Sequence, residues 1–535
     1  MYRQMLIAIA ICLMHSASVF GKDDLVFQNI TIYDGTGDPA FDGYVSIKDK
    51  KISSVGKGEA PEATWVIDGT GLVISPGFID LHTHSDSGVI SPTRRGCVNY
   101  LMQGCTTSVT GNCGSGPIDV ADFYKKVNAV GAGTNVAHLL PQGSLRLKVV
   151  GNTSRAATGE EMDQMRTIAK KAMDDGAWGM STGLIYNPGT FTSTEELIEI
   201  AKVVADGNGF YASHIRNEAS SLLASVLEAI QIGEQAGCPS HISHIKAADT
   251  ANWGTVRLAI DAIEKAQQRG LKVTADQYPY VAFSTSLEAT IFPSWSRAGG
   301  NKQLIERLDD SELAPKIRED VARSIKESDN GRQIVIASCS KIPAYVGKNL
   351  YELGQSEKLT ALEIGEKIIR NGGASIVKFA MSEDDVRATM TYPWVATASD
   401  ASTQLPTANR PHPRGFGTFP RKIGHYAIRE GVISLEQAIR SATGLPADIL
   451  GMTDRGYLKP GLAADIVVFD PQVFIDKSTY DNPFQYAEGV KYVLVNGSMA
   501  VFNGTPTGAL AGKALSKKAT PDQKSDGVES AKDQQ

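Results

Sequence analysis

The hydrophobic pattern changes period twice along the chain. From Leu25 to about Val73, short apolar runs such as Leu25-Val26-Phe27, Ile30-Thr31-Ile32, Tyr44-Val45-Ser46-Ile47 and Ile52-Ser53-Ser54-Val55 alternate with Gly- and Asp-rich punctuation. That texture predicts short strands joined by tight turns. It returns late, in Asp465-Ile466-Val467-Val468-Phe469 and in Val490 to Gly497. Strand-rich ends around a long middle predict one small β-sandwich domain built from both termini, over residues 22–74 and 450–512.

The middle alternates strand-like and helix-like segments. Apolar runs ending in polar or Gly residues occur at Val73-Ile74 running to His84, Thr106 to Gly111, Val136 to Leu140 and Trp178 to Ser181. Four more lie at Phe210 to Ser213, His241 to Ser243, Lys272 to Ala275 and Trp394 to Ser399. Most intervals are amphipathic at helical spacing, for example Gly159 to Asp175, Ser193 to Ala205 and Ala219 to Ala236. Eight such repeats predict an α/β fold, a (β/α)8 TIM-like barrel over residues 75–449, with its chemistry at the C-terminal ends of the strands. The interval between the seventh and eighth strands is much longer than the rest. An insertion at about 287–340 is expected there as a lid. Residues 513–535, rich in Lys, Asp, Ser and Gln, read as a disordered tail.

Composition narrows the function classes. Of 535 residues, 42% are hydrophobic and 21% charged, as in ordinary globular proteins, and the net charge of −6 offers nothing to a polyanion. No basic run with interleaved aromatics appears, so no nucleic-acid partner is expected. At the N-terminus, Arg3 precedes the apolar run Met5 to Met14, and small residues follow up to Gly21. This order predicts a signal peptide over residues 1–21 and an exported protein, periplasmic or secreted. The run is too short for a stable membrane span. Of the cysteines, Cys12 leaves with that segment, and Cys97, Cys105, Cys113, Cys238 and Cys339 remain. An odd number at scattered spacing is no disulfide framework.

The candidate chemistry lies at the strand ends. In Pro76-Gly77-Phe78-Ile79-Asp80-Leu81-His82-Thr83-His84, two histidines spaced by two project from one face of a strand and can converge on one ion. A hydrogen-bonded pair is the alternative for an isolated His-x-His. The second strand ends in Gly111-Asn112-Cys113-Gly114, where Cys113 is either a thiolate ligand or a small buried hydrophobe. The fifth ends in Ser213-His214-Ile215-Arg216-Asn217-Glu218, the sixth in His241-Ile242-Ser243-His244-Ile245-Lys246, and the eighth in Ser399-Asp400. Only nine histidines exist in the chain, and four of them, His82, His84, His214 and His244, fall at or next to the strand ends. Ligands converging from separate strands are what a barrel metal enzyme requires. His241 and His244 differ by an odd step, so only one faces the site, and His244 lies nearer the strand end. Arg216 and Glu218 are candidates for orienting His214.

These residues resemble the amidohydrolase superfamily and, within it, the D-aminoacylase (N-acyl-D-amino-acid deacylase) family. The likeness runs from about Leu25 to Gly512. It is carried by the segments at 76–84, 111–114 and 213–218, with Ser181-Thr182-Gly183-Leu184-Ile185-Tyr186, Asp276-Gln277-Tyr278-Pro279-Tyr280 and Pro411 to Phe419. The resemblance implies that Cys113, His214 and His244 hold a tightly bound Zn2+, and that His82, His84 and Asp400 form a second, weaker or vacant position. It implies that Asp400 is the general base, and that Lys246, Tyr278 and Arg414 hold the substrate's α-carboxylate, with Tyr186 and Ser284 lining the pocket. The activity implied is zinc-dependent hydrolysis of the amide of N-acyl-D-amino acids. A dipeptidase acting on peptides with a C-terminal D-residue is the alternative, ahead of a cyclic-amide hydrolase or a non-catalytic binding protein. Many superfamily relatives use a strand-four lysine that Ser181-Thr182-Gly183 lacks, which counts against the cyclic-amide reading. Two departures stand out: Pro141-Gln142-Gly143 replaces a Gly-His-Gly, and Ala401 follows Asp400 in place of glycine.

Overall fold

The computed structural model describes residues 22–517; the expected signal peptide lies outside them. Five strands open the chain: β1 (Asp23–Ile32), β2 (Phe41–Lys48), β3 (Lys51–Gly56), β4 (Ala63–Asp68) and β5 (Val73–Pro76). The barrel strands follow as β6 (Phe78–Asp80), β7 (Cys105–Thr110), β8 (Asn135–His138), β9 (Leu140–Pro141), β10 (Gly179–Gly183), β11 (Phe210–His214), β12 (Ser240–Ile242) and β13 (Val273–Gln277). An antiparallel unit of β14 (Ala282–Ser286), β15 (Ile334–Ser338) and β16 (Ser375–Phe379) precedes the last barrel strand, β17 (Val395–Thr397). The chain then returns through β18 (Ile466–Phe469), β19 (Val490–Val495), β20 (Ser498–Phe502) and β21 (Thr505–Pro506).

The barrel is parallel throughout. β6, β7 and β8 pair in that order, and β9, β10, β11, β12, β13 and β17 form the rest. Strand three is interrupted at Leu139, so β8 and β9 are two halves of one strand. The ring closes where the Asp400 amide donates to the His82 carbonyl (2.8 Å) and the His84 amide to the Ala401 carbonyl (2.7 Å). Ile79, Leu81, Val109, Ala137, Leu139, Phe210, Ala212, Ala396 and Ala398 form one buried cluster, the packed interior of the barrel. Its helices bury their apolar stripes against the outside of the strands. Their starts are set by side-chain caps, such as Ser193 accepting from the Glu196 amide and Thr158 in a capping box with Glu161.

The first apolar run divides differently from expectation. Val73-Ile74 belongs to β5, which pairs with β18 and β1 in the terminal domain; the barrel begins at Phe78, after Gly77. The terminal domain itself is one continuous nine-stranded sheet folded over its own core of Phe27, Ile32, Val45, Ile466, Val468 and Leu494. The insertion is also longer than 287–340. Its sheet joins β14 to β16, and helices such as Ala314–Glu327 and Ala361–Arg370 pack a separate core over it. Residues 513–517, read from sequence as part of the tail, are docked. The Leu515 amide donates to the Val136 carbonyl (2.8 Å), and Trp178 Nε1 donates to the Leu515 carbonyl (2.6 Å). The remainder of the expected tail lies outside the described residues. Among these residues, all five cysteines are free and buried, and no helix is long and apolar enough to cross a membrane.

Candidate metal centre

The strand ends deliver the predicted residues to one place. Cys113 Sγ lies 3.5 Å from His214 Nδ1, 3.7 Å from His244 Nε2 and 3.2 Å from His82 Nε2. Beside it, Asp400 Oδ1 is 3.0 Å from His84 Nε2 and 3.5 Å from His82 Nε2. Tetrahedral zinc with Zn–S near 2.3 Å and Zn–N near 2.0–2.1 Å sets its sulfur and nitrogen ligands about 3.5 Å apart. The Cys113–His214 and Cys113–His244 separations match that spacing, the compact triad around Cys113 is completed by His82 and His244, and the soft thiolate and imidazole set suits zinc. The His82, His84 and Asp400 atoms form an adjoining cluster with nitrogen and oxygen donors.

Local backbone geometry aims these groups. Cys113, His244 and Asp400 all have left-handed backbone, with φ of 50°, 36° and 50°. The conformation costs a non-glycine residue about 1–2 kcal/mol. Each lies just beyond its strand, where the sharp turn swings the side chain inward. The turn at Cys113 is pinned by Asn112, whose Nδ2 donates to the carbonyls of Leu81 and Val109, both at 3.1 Å. Burial opposes ionisation of Cys113, but the imidazoles of His82 and His214 outweigh it and hold the thiol well below its ordinary value. Burial likewise opposes ionisation of Asp400. The Arg414 guanidinium, 2.7 Å away, and the neighbouring His82 and His244 keep it a carboxylate.

Two carboxylates, the buried Asp276 and the half-buried Glu218, support the cluster from behind. Glu218 Oε1 lies 2.9 Å from His244 Nδ1 and also accepts from Lys246 Nζ, while Oε2 is 3.9 Å from His214 Nε2. Its predicted contact with His214 is therefore the weaker one. Asp276, to which the sequence assigned no role, accepts from the His244 amide (2.7 Å) and bonds His241 Nε2 (2.8 Å). It also faces His82 Nδ1 at 3.5 Å. His241 is thus a supporting residue, as the odd step predicted. Arg216 turns away, to Glu228 (2.8 Å) and the carbonyls of Thr190 and Thr192.

A cavity of about 360 Å3 opens from the cluster and is lined by Lys246, Tyr278, Arg414, Tyr186 and Ser284 as well as by the metal-site groups. The Tyr278 hydroxyl is buried without a partner among the described residues, and the Arg414 guanidinium lies 4.7 Å from its ring centre. The Tyr186 and Thr285 hydroxyls are 2.9 Å apart. Ser284 lines the cavity, but its hydroxyl donates to the Ile376 carbonyl (2.8 Å), so its polar atom is committed. Two charged lining residues escaped the sequence reading. Lys378 on β16 and Asp249 after β12 form an ion pair at 2.6 Å across the seam between insertion and barrel.

Residues 65–501 match the amidohydrolase family. The chain is 33% identical to a D-aminoacylase of Alcaligenes xylosoxydans xylosoxydans over 93% of its length and 98% of the relative's. It is 32% identical to an N-acyl-D-aspartate deacylase of the same organism, over 91% of this chain and 93% of that one. A crystal structure of N-acyl-D-glutamate deacylase from Bordetella bronchiseptica, complexed with zinc and a phosphonate inhibitor that mimics the tetrahedral intermediate, superposes with a TM-score of 0.79. That match has 30% identity and covers 93% of this chain and all of that one. The chain belongs to the amidohydrolase family, in the branch that contains the D-aminoacylases.

Proposed function

We propose that the protein hydrolyses the amide bond of N-acyl-D-amino acids to a carboxylate and a free D-amino acid, using zinc held by Cys113, His214 and His244. The observation that carries the reading is one cavity faced by both a thiolate–imidazole ligand set and a group of anion-binding side chains, Lys246, Tyr278 and Arg414. The D configuration comes from the names of the relatives. The chemistry a zinc ion supplies when bound is Lewis-acid activation of water and of the scissile carbonyl.

The chain's own residues do the rest. Arg414 and Lys246 bind the α-carboxylate through charge-assisted hydrogen bonds, and the unpartnered Tyr278 hydroxyl donates a third. A carboxylate docking on Arg414 competes with Asp400 for the guanidinium, which loosens the hold on the Asp400 oxygens. Asp400 then takes the proton of the attacking water and passes it to the leaving nitrogen. His82, His84 and Asp400 form a second metal position in this reading, and export follows from the pattern of residues 3–21. An N-terminus at Lys22 in protein recovered from outside the cytoplasm checks the export.

The direct test is amino-acid release from N-acetyl-D- and N-acetyl-L-amino acids, with zinc assayed on the same sample. Release from the D series alone, with at least one zinc per chain, supports the reading; release from the L series alone overturns it. Asp400→Asn is expected to keep the tight zinc and lose at least about 100-fold in turnover. Near-normal turnover by this variant would remove Asp400 from its role as base.

A further inference from the structure

The metal-ligand cluster borders two cavities, and the groups above account for only one. The second, of about 330 Å3, shares His84, Cys113 and Tyr186 with the first. Its remaining walls include Gly143, Ser144, Leu147 and Gly183. Backbone crowding keeps two of these positions bare. A Cβ at Gly183 would sit 2.2 Å from the Cys113 carbonyl oxygen, and one at Gly143 would sit 2.7 Å from that of Gly114. Neither residue can carry a side chain without displacing the turn that presents Cys113. The open space is therefore built by the same backbone that builds the ligand.

The two chambers differ in charge. The first holds Lys246, Arg414 and Lys378 with their partners Glu218, Asp400 and Asp249, whereas the second has no Asp, Glu, Lys or Arg among its described lining residues. A substrate with its scissile amide at the cluster must place its carboxylate half where the cations are. The acyl half is then left facing the second chamber. Resting on the deacylase reading, we infer that this chamber is the acyl subsite and selects a neutral acyl group longer than acetyl. An acetyl group contributes a single methyl beyond its carbonyl and would leave most of the space unfilled. The methylenes of a longer chain bury against Leu147, which is 53% exposed at the rim. The free ammonium of an unblocked dipeptide would lose water there without meeting a carboxylate, which is costly.

The test compares kcat/KM of the zinc-loaded enzyme for N-acetyl, N-butyryl and N-hexanoyl derivatives of one D-amino acid, and for its L-alanyl dipeptide. The expected result is a rise of about fourfold per methylene from acetyl to butyryl, with the dipeptide at least tenfold below the butyryl compound. Because Leu147 is exposed, its substitution spares the core. Leu147→Trp is expected to cut the hexanoyl-to-acetyl ratio at least tenfold, and Leu147→Asp to raise the dipeptide-to-butyryl ratio. A flat or falling acyl series, a dipeptide equal to the best acyl compound, or ratios indifferent to both substitutions would overturn the inference while leaving the deacylase reading intact. Failure of the wild-type enzyme on every acyl compound would instead sink the deacylase reading, and this inference with it.

Discussion

Glu218 holds two groups of the candidate centre at once. It faces His244 Nδ1 at 2.9 Å and accepts from Lys246, so one carboxylate fixes the ring whose Nε2 points at Cys113 and also holds a cavity cation. Such supporting carboxylates commonly contribute 10–100-fold in metal affinity. Glu218→Gln is accordingly expected to weaken zinc binding by about that factor, read by competition with a chelator, whereas an unchanged affinity would reduce Glu218 to a lysine partner. A different residue carries a pH dependence of its own. Lys422 is buried at 1% exposure, its Nζ has no partner among the described residues, and burial pushes its pKa down to about 7. The unfolded chain holds this proton up to about pH 10.5, the folded chain only to about pH 7. Between those values the unfolded state binds more protons, so stability rises with pH across the window, and the penalty is fully present below pH 7. Lys422→Met should remove that slope and stabilise the protein at pH 6 by a few kcal/mol, of order 3–5 from the size of the shift. Denaturant unfolding at pH 6 and pH 9 measures both effects.

At the scale of elements, the barrel and the gathering of the candidate ligands at its strand ends were legible for one shared reason. Strand ends show in sequence as a break from apolar to polar, and the rare residues Cys113, His214, His244 and Asp400 fall just past those breaks. What stayed hidden depends on partners distant in sequence. β14 pairs with β16, whose strand lies some ninety residues later, so the helices between them gave no sign of the sheet that bounds the insertion. Val73 to Asp80 reads as one apolar run because neither sheet is visible locally, yet β5 and β6 hydrogen-bond in different domains. Within the site, the contact of Arg414 with Asp400 and the bridging by Asp276 arise from separate elements brought together by closure of the barrel. A further contact of this kind joins two barrel helices. Arg146, on helix Gln142–Val149, is fully buried against Glu196 on helix Thr194–Asp206. Glu196→Ala leaves an unpaired buried guanidinium and should cost about 3–5 kcal/mol in unfolding free energy.

Across the whole molecule, the strap of residues 512–517 ties the terminal segment to the barrel through Val136, Trp178 and Gly176. Ending the chain at residue 511 is expected to lower Tm by a few degrees and to shift the emission of Trp178 to the red as its indole N–H loses the Leu515 carbonyl. An unchanged Tm would show that the strap adds nothing to cohesion. The sheet of the terminal domain has a consequence of another kind. Its β1, β2, β3 and β5 are made first, but β5 waits for β18, which is synthesised roughly four hundred residues later. At about 5–20 residues per second, a ribosome needs on the order of 20–80 s to cover that distance. During that interval the first strands present an open edge, the kind of surface that recruits other chains. The order of synthesis therefore opposes early folding of this domain, and a chain threaded unfolded through a membrane pore would escape the hazard by closing its first and last strands together on the far side.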